Sequence, residues 1–483
     1  MSGAGMSAAD WEAILPALVV ASAAILVLLY EAFLGDEDDR TALFWMSQLG
    51  LVAGVAATLS VWGIRARGFS GTLALDGFAL FVDLVCILAA SLSLLMAIGY
   101  LDRINVRAGE FYPLVLFATS GMMIMGAARD LIVLFLGLEI MSVAAYVLAG
   151  IHRRDRKSGE AALKYFLLGA FATGFLLYGI ALLYGATGST RYDQIAAGLG
   201  SAPHLMVLAG VAMLLVGLGF KMAAVPFHFW TPDVYEGAPT AVTALMAVGI
   251  KAAAFAGFAR FFLVHLMSIH PDWAQVVWWL AALTMTAGNV VAIAQSNVKR
   301  MLAYSSIAHA GYLLVAVVSG SGDGGAAVLF YLAAYAFMNL GAFAVVIALG
   351  ARGEPNEDIS SYAGLAGREP VLAAAMAIFM LSLTGVPPFA GFVGKVYIFR
   401  AAVDAGYLGL AVIAVINSTI SAYYYLRVVI EMYMREGAKL LPALSSRPYL
   451  AASIFIAVAG TILLGVFPSS AMDLARRSFL SVG

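Results

Sequence analysis

Charge is scarce in this sequence, and its scarcity argues against a soluble protein. Only 11% of the 483 residues are charged and 63% are hydrophobic, whereas roughly a quarter of a typical soluble domain is charged. Apolar runs near the ~20 residues that a helix needs to cross a bilayer recur along the whole chain. The composition therefore predicts an all-α polytopic membrane protein with no separate soluble domain.

Cysteine and cofactor motifs are nearly absent as well. Cys86 is the single cysteine, which excludes internal disulfides, CxxC motifs and cysteine-held clusters. The sequence has no HExxH motif and no Gly-rich phosphate loop after a strand, which argues against zinc and nucleotide chemistry. A net charge of −1 gives no indication of a nucleic-acid partner. We therefore expect no cofactor and no metal on this chain.

Fourteen membrane-spanning segments are predicted from the apolar runs. They are expected at 11–34, 41–64, 77–100, 111–128, 130–150, 160–186, 204–230, 239–266, 273–296, 299–319, 325–350, 370–402, 406–434 and 448–467. No Lys or Arg precedes Trp11, unlike the basic start of a cleaved signal peptide, so we expect the first segment to be retained. Loops after odd-numbered segments carry fourteen basic residues and the opposite loops seven, which places both termini on the periplasmic side.

Two of these segments contain residues that interrupt helices. In the seventh, GLGFKMAAVPFHFW, Pro226 is expected inside the helix soon after Lys221. In the twelfth, the pair Pro387 and Pro388 precedes Lys395 within TGVPPFAGFVGK. Interrupted helices at matching places in two halves point to a transport site. Because the two segments are five apart, we expect two five-helix repeats, and an odd number of crossings inverts the second.

Four ionisable residues lie deep inside apolar segments: Glu139, Lys221, Lys251 and Lys395. Each charged side chain at the centre of a spanning helix costs about 2.5–3.5 kcal/mol on insertion scales. One structural ion pair would use Glu139 and a single lysine and leave two lysines without an acid. Burial disfavours a charged lysine and a nearby carboxylate favours it, so the set is suited to proton transfer.

Two histidines are candidates for relays between these lysines. His228 follows Pro226, and His309 lies in the polar tenth segment KRMLAYSSIAHAGY, so both are candidate proton relays. For His309, a histidine simply hydrogen-bonded inside the helix bundle is an equal alternative. The tyrosine-rich SAYYYLRVVIEMY stretch is interpreted as packing and interface anchoring.

Three stretches together resemble one family. VPFHFWTPDVYEGAPT after Lys221, KRMLAYSSIAHAGY and TGVPPFAGFVGK resemble the antiporter-like membrane subunits of respiratory complex I (NADH:quinone oxidoreductase), and the resemblance covers essentially all 483 residues. The PDVYEGAP form, the lysine at 395 and the lack of a long helical extension after the fourteenth segment are typical of one branch of this family. Ala241 is a small departure, because the family often has proline there.

The resemblance implies an organisation for the chain. A single membrane domain, 1–483, would comprise three first helices (11–100), two five-helix repeats (111–266 and 273–434) and a last helix (448–467). The resemblance also implies an ion pair of Glu139 with Lys221, a central Lys251 and a terminal Lys395.

The resemblance further implies a function. The chain would couple electron transfer from NADH to quinone to proton transport in the bacterial inner membrane. NADH, FMN, iron–sulfur clusters and quinone would be bound by partner subunits. The other membrane-arm subunits and membrane lipids would surround the chain.

Two other functions stay open on the sequence. A subunit of a multi-subunit sodium/proton antiporter would have the same fold without redox partners, although the PDVYEGAP form argues against it. A structural scaffold would use its buried charges only to fix helix packing. It predicts that neutral substitutions harm assembly rather than turnover.

Overall fold

The computed structural model describes residues 6–35, 39–350, 356–437 and 447–482. Its helices are α1 Ala8–Glu31, α2 Thr41–Ser60, α3 Gly77–Ala97, α4 Tyr100–Arg103, α5 Phe111–Ala127, α6 Leu131–Ala149, α7 Arg156–Thr187, α8 Tyr192–Gly198, α9 His204–Met222, α10 Trp230–Gly237, α11 Thr240–Leu245, α12 Lys251–Arg260, α13 His270–Ile293, α14 Val298–Val318, α15 Gly322–Leu349, α16 Leu365–Arg368, α17 Pro370–Thr384, α18 Ala390–Asp404, α19 Leu408–Met434, α20 Pro448–Val466 and α21 Pro468–Leu480.

The expected membrane architecture is confirmed. Within the described ranges, twelve helical segments are long and apolar enough to cross a membrane, and two shorter apolar helices, α5 and α17, bring the number to fourteen. Short 3₁₀ turns lie at Phe69–Gly71, Met267–Ile269 and Ile359–Tyr362. Two strands, β1 Ala66–Gly68 and β2 Leu73–Leu75, form an antiparallel hairpin between α2 and α3.

The seventh and twelfth segments are each built from two helices. Residues 223–229 separate α9 from α10, and residues 385–389 separate α17 from α18. Ala223 (φ 61°) and Gly385 (φ 93°) end the first helix of each pair in the left-handed conformation typical of helix C-termini. The predicted breaks are confirmed. Pro226, however, does not lie inside a helix as expected, because α9 has already ended at Met222.

The eighth segment contains two π-helical turns, Met246–Ile250 and Phe261–His265, on either side of α12. A π turn has hydrogen bonds that span five residues and is found frequently at functional sites. Lys251 is the first residue of α12, directly after the first π turn. Nearly all of this segment is buried in the described chain.

The two halves of the molecule repeat the same helix neighbours. In the first half α5 packs against α6, α6 against α7, and α7 against both α9 and α10; in the second half α13 packs against α14, α14 against α15, and α15 against both α17 and α18. Five crossings reverse the side of entry, so the second set is inverted. The exact division into 111–266 and 273–434 stays a prediction.

The remaining helices pack against the sides of the two repeats. α3 contacts α5, α12 and α15, while α20 contacts α15 and α18. A buried ion pair joins α3 to α12: the guanidinium of Arg260 donates to both carboxylate oxygens of Asp76, at 2.6 and 2.8 Å. Arg260 is fully buried, so this pair has a structural role in attaching the first helices to the repeats.

Candidate functional site

Lys221 lies at the end of α9 in an aromatic pocket. Its Nζ is 5.0 Å from the ring centre of Tyr146, 4.9 Å from that of Tyr165 and 5.6 Å from that of Phe220. Tyr165 in turn stacks on Trp230 of α10, with ring centres 4.4 Å apart. The hydrogen-bond partner of Nζ is the Tyr146 hydroxyl, at 3.4 Å. Ring faces therefore provide most of the surroundings of this ammonium group.

Glu139 does not form the expected ion pair with Lys221. Its Oε1 accepts a hydrogen bond from Thr173 at 2.9 Å, and the ion pairs found in the described ranges do not include Glu139. Tyr146 follows Glu139 by seven residues on α6, two helical turns further along the same face. Glu139 therefore acts on Lys221 by its charge at a distance rather than by direct contact.

Lys251 contacts the second half of the molecule. Its Nζ donates to the carbonyl of Ser306 on α14 at 2.6 Å and also to the Ser306 hydroxyl. The lysine is 1% exposed, and no carboxylate among the described residues pairs with it. The middle lysine therefore connects the first repeat to α14.

His309 lies on α14, one turn after Ser306. Its Nδ1 is 2.6 Å from the Tyr331 hydroxyl and its Nε2 is 3.0 Å from the Tyr425 hydroxyl, which also contacts Ser305. A neutral imidazole donates through one nitrogen and accepts through the other. The ring therefore joins α14, α15 and α19 in one hydrogen-bonded chain.

Lys395 is the sixth residue of α18, the helix that follows the second break. Its Nζ donates to the carbonyls of Leu383 and Thr384 at 3.0 and 2.8 Å and to the Ser418 hydroxyl at 2.9 Å. It also lies 4.8 Å from the ring centre of Tyr312. These carbonyls belong to the last turn of α17, which has no helical partners for them.

Gly385 permits this contact. A Cβ at this position would lie 3.0 Å from Cδ and 3.3 Å from Nζ of Lys395, and the backbone has φ 93°. Glycine is the residue that adopts this conformation without strain and leaves room for the lysine.

His228 is not brought to the lysines. It lies in the 223–229 connection with its ring 4.7 Å from that of Phe229. Its Nδ1 is buried and has no hydrogen-bond partner within the described chain. No contact in the described chain links it to Lys221 or Lys251, so its predicted relay role stays a prediction.

A group of ion pairs surrounds α10. Asp233 pairs with Lys164 of α7 at 2.7 Å and with Arg300 of α14 at 2.8 Å. Glu236 pairs with Lys157 of α7 at 2.9 Å and with Arg300 at 3.0 Å. The acids of the PDVYEGAP motif thus hold the second half of the broken segment between the two repeats.

A cleft of about 1450 Å³ opens beside these ion pairs. Its lining includes Glu236, Lys157, Lys299 and Thr240, so it reaches the start of the segment that contains Lys251. Arg103 also lines it; burial, together with the charge of Arg447, lowers the pKa of Arg103 to about 10, so the guanidinium stays charged at neutral pH. The cleft therefore brings several charged side chains together at the loop ends of the helices.

Comparisons with known proteins identify the family. A family model described as NADH:quinone oxidoreductase/Mrp antiporter, TM matches residues 128–421. The NADH-quinone oxidoreductase subunit N of Trichlorobacter lovleyi is 47% identical over 468 residues, which cover 96% of each chain. This chain belongs to the NADH-quinone oxidoreductase subunit N family.

Solved structures agree with membership of the subunit N family. A chain of respiratory complex I from Thermus thermophilus with bound aureothin matches with a TM-score of 0.81 at 35% identity, covering 95% of this chain and 99% of that one. A chain of the Mrp complex from Dietzia has a TM-score of 0.85 at 23% identity, covering 99% and 98%. The Mrp match shows a shared fold.

Sequence reasoning found the lysines of this subunit N family member but missed most of their partners. Tyr146, Tyr331, Tyr425 and Ser418 all contact the charged residues or His309. Tyr425 lies in the stretch that was interpreted as packing. The one sequence signal for these partners was the run of polar residues directly before His309, which includes Ser306. Within the described residues, no group of three or more His, Cys, Asp or Glu side chains is placed to hold a metal ion.

Proposed function

We propose that this chain is a proton-translocating membrane subunit of a bacterial NADH:quinone oxidoreductase. Family membership and the buried lysines support this function. NADH, FMN, iron–sulfur clusters and quinone are assigned to partner subunits, among which are homologous antiporter-like subunits of the membrane arm. The chain lies in the inner membrane, with both termini on the periplasmic side.

The observation that carries the proposal is the series of buried proton-binding groups across both halves. Lys221 contacts Tyr146, Lys251 contacts Ser306, and Lys395 contacts Ser418. Each lysine is at most 3% exposed. Ionisable groups at this depth are costly and are characteristic of proton pathways.

His309 and its phenol partners connect the middle lysine to the last one. Ser305 and Ser306 are adjacent on α14, and Ser305 contacts the Tyr425 hydroxyl that is bonded to His309. On the other side, the His309 ring lies 5.7 Å from that of Tyr312, whose ring faces Lys395. Protons pass between Lys251 and Lys395 along this polar line and the water that it admits.

The electrostatic scale fits control by one moving charge. Each proton moved outward works against about 2.3 kcal/mol per 100 mV of membrane potential. Two unit charges 4 Å apart interact by about 4 kcal/mol at an effective dielectric constant near 20. A charge displaced close to Lys221 therefore suffices to change its proton affinity, and the charge of Glu139 acts on the same lysine from beyond contact distance.

The test measures Lys221→Ala and Glu139→Gln in the native membrane. Assembly, NADH-driven quinone reduction and NADH-driven proton uptake are recorded together, with Arg400→Ala at an exposed ion pair as the control. We expect intact assembly with depressed turnover or proton uptake in the two buried variants alone. Normal turnover and uptake, or loss only through failed assembly, would show that the buried charges are structural.

Cation/proton antiport is the second candidate, because the Mrp complex chain has the same fold. An antiporter subunit would not associate with redox proteins. Purification of the native complex and assay for flavin and iron–sulfur clusters separates the two functions.

A further inference from the structure

The short helix α10 connects two different environments. Towards α9, Trp230 stacks on Tyr165 beside Lys221, and its indole N–H donates to the Phe220 carbonyl at 2.9 Å. On the remaining surface of the helix, Asp233 and Glu236 form ion pairs. The helix has eight residues, follows a turn and ends at Ala238, whose backbone is extended. Its position therefore depends on these side-chain contacts, and any shift of α10 alters the pocket around Lys221.

Two side chains of the N-terminal turn of α14 hold α10, one by the side chains of α10 and the other by its backbone carbonyls. Arg300 bridges Asp233 and Glu236, at 2.8 and 3.0 Å. Lys299 donates to the carbonyls of Glu236 and Ala238 at 2.8 and 2.9 Å, at the C-terminal end of α10, where a cation is favoured. Lys299 is 3% exposed and also pairs with Glu357 at 3.2 Å.

The same helix holds Lys251. Ser306 follows Arg300 by six residues, about 9 Å along the axis of α14, and its carbonyl and hydroxyl accept from the lysine. A continuous set of contacts thus runs from the Lys221 pocket through α10, Arg300 and α14 to Lys251. We propose that Lys299 and Arg300 are positioning residues that couple the surroundings of Lys221 in the first half to those of Lys251 through α10 and α14.

A purely stabilising role is the main alternative. The side chains of Asp233 and Arg300 are about one third exposed, and ion pairs with this exposure generally contribute little to stability. The two acids, however, share one guanidinium between two halves of the protein. A planar, forked donor is suited to fixing geometry, since it binds two acceptors in set directions.

The inference rests on the proposed function and is tested by a double-mutant cycle in the assembled complex. The variants are Arg300→Gln, Ser306→Ala and both together, with the rate of NADH-driven proton uptake as the measurement. We expect each single variant to lower the rate about three-fold or more and the double variant to fall little further, as for residues in one network. Effects that multiply in the double variant would overturn the proposal, and so would an unchanged rate for Arg300→Gln.

Arg427→Gln is the matched control. Arg427 is a half-buried arginine that binds the carbonyls of Ile293 and Gln295 and ties α19 to the end of α13, away from α10. Its effect should combine multiplicatively with that of Ser306→Ala. If Arg427→Gln and Ser306→Ala are as non-additive together as Arg300→Gln and Ser306→Ala, the coupling reflects a general loss of packing and the proposal fails.

Two further variants separate the possible failures. If Arg300→Gln does not assemble, Glu236→Gln removes one of the two Arg300 pairs and keeps Asp233, and the same cycle is judged by the same outcomes. Lys251→Ala is measured alongside. A normal rate in Lys251→Ala would contradict the proposed function itself, whereas a low rate there combined with additive Arg300 effects would contradict the coupling alone.

Discussion

The two broken segments have the same backbone design and opposite chemistry at their lysines. In each, a residue in the left-handed conformation ends the first helix. Lys221 then has ring faces and one hydroxyl at 3.4 Å, whereas Lys395 has two carbonyls and a hydroxyl, all within 3.0 Å. An ammonium group has three donors. The second site satisfies all three, whereas the first offers one hydroxyl and aromatic ring faces.

The largest expected effect is a difference in thermal stability between substitutions at the two lysines. Lys395→Met leaves the Leu383 carbonyl without its donor, whereas the Thr384 carbonyl keeps the Ser418 hydroxyl, and the lost bond costs about 1–3 kcal/mol. Lys221→Met places an apolar chain among aromatic rings and costs little. We expect the thermal stability of the purified complex to fall for Lys395→Met and to stay near wild type for Lys221→Met, while both lose proton uptake. Equal stabilities would remove the distinction between the two sites.

The next effect concerns the residues that end the helices. Gly385→Ala requires a left-handed alanine, at about 1–2 kcal/mol, and pushes against Lys395. Ala223 already has a Cβ in this conformation, so Ala223→Gly relieves a small strain. Thermal unfolding and proton uptake should both worsen for Gly385→Ala and change little for Ala223→Gly. A harmless Gly385→Ala would mean that Lys395 does not need its close approach to the backbone.

The smallest effect tests the connection between Glu139 and Lys221. Tyr146→Phe removes the hydroxyl that contacts Lys221 and keeps the ring, so we expect about a three-fold slower proton uptake, the size expected for one hydrogen bond. Tyr165→Phe is the control, because the Tyr165 hydroxyl has no partner in the described chain. If both variants behave alike, the phenol of Tyr146 does not link the two charges.

Much of this arrangement could be predicted from the sequence because residues that are costly inside a membrane are easily recognised in an apolar segment. Proline pairs, clustered glycines and lysines inside apolar runs are costly, and they marked both breaks and all three lysines. The end of α9 at Met222 was not predictable, since the following Ala-Ala-Val carries no helix-ending signal. Pro226 therefore pointed to the right region and the wrong residue.

The partners of the charged groups were harder to predict, because a buried tyrosine in an apolar run looks like any other packing residue. Tyr331 meets His309 from 22 residues away and Tyr425 from 116. Such distant pairings depend on how α15 and α19 pack. The ion pair of Glu139 with Lys221 was implied by the family resemblance alone, whereas the structure places Tyr146 against the ammonium group.

The two π-helical turns around α12 affect the direction in which its side chains point. A π turn contains one residue more than an α turn, and each residue of an α-helix rotates the chain by about 100°. Lys251 and Arg260 lie nine residues apart on the ten-residue helix between the turns, so they point to opposite faces: Lys251 towards Ser306 on α14 and Arg260 towards Asp76 at the start of α3. Deleting one residue from the first turn would rotate the whole of α12, turning both charges away from their partners, and keep every other residue type unchanged. In this segment the inherited information lies in the count of residues as much as in their identity.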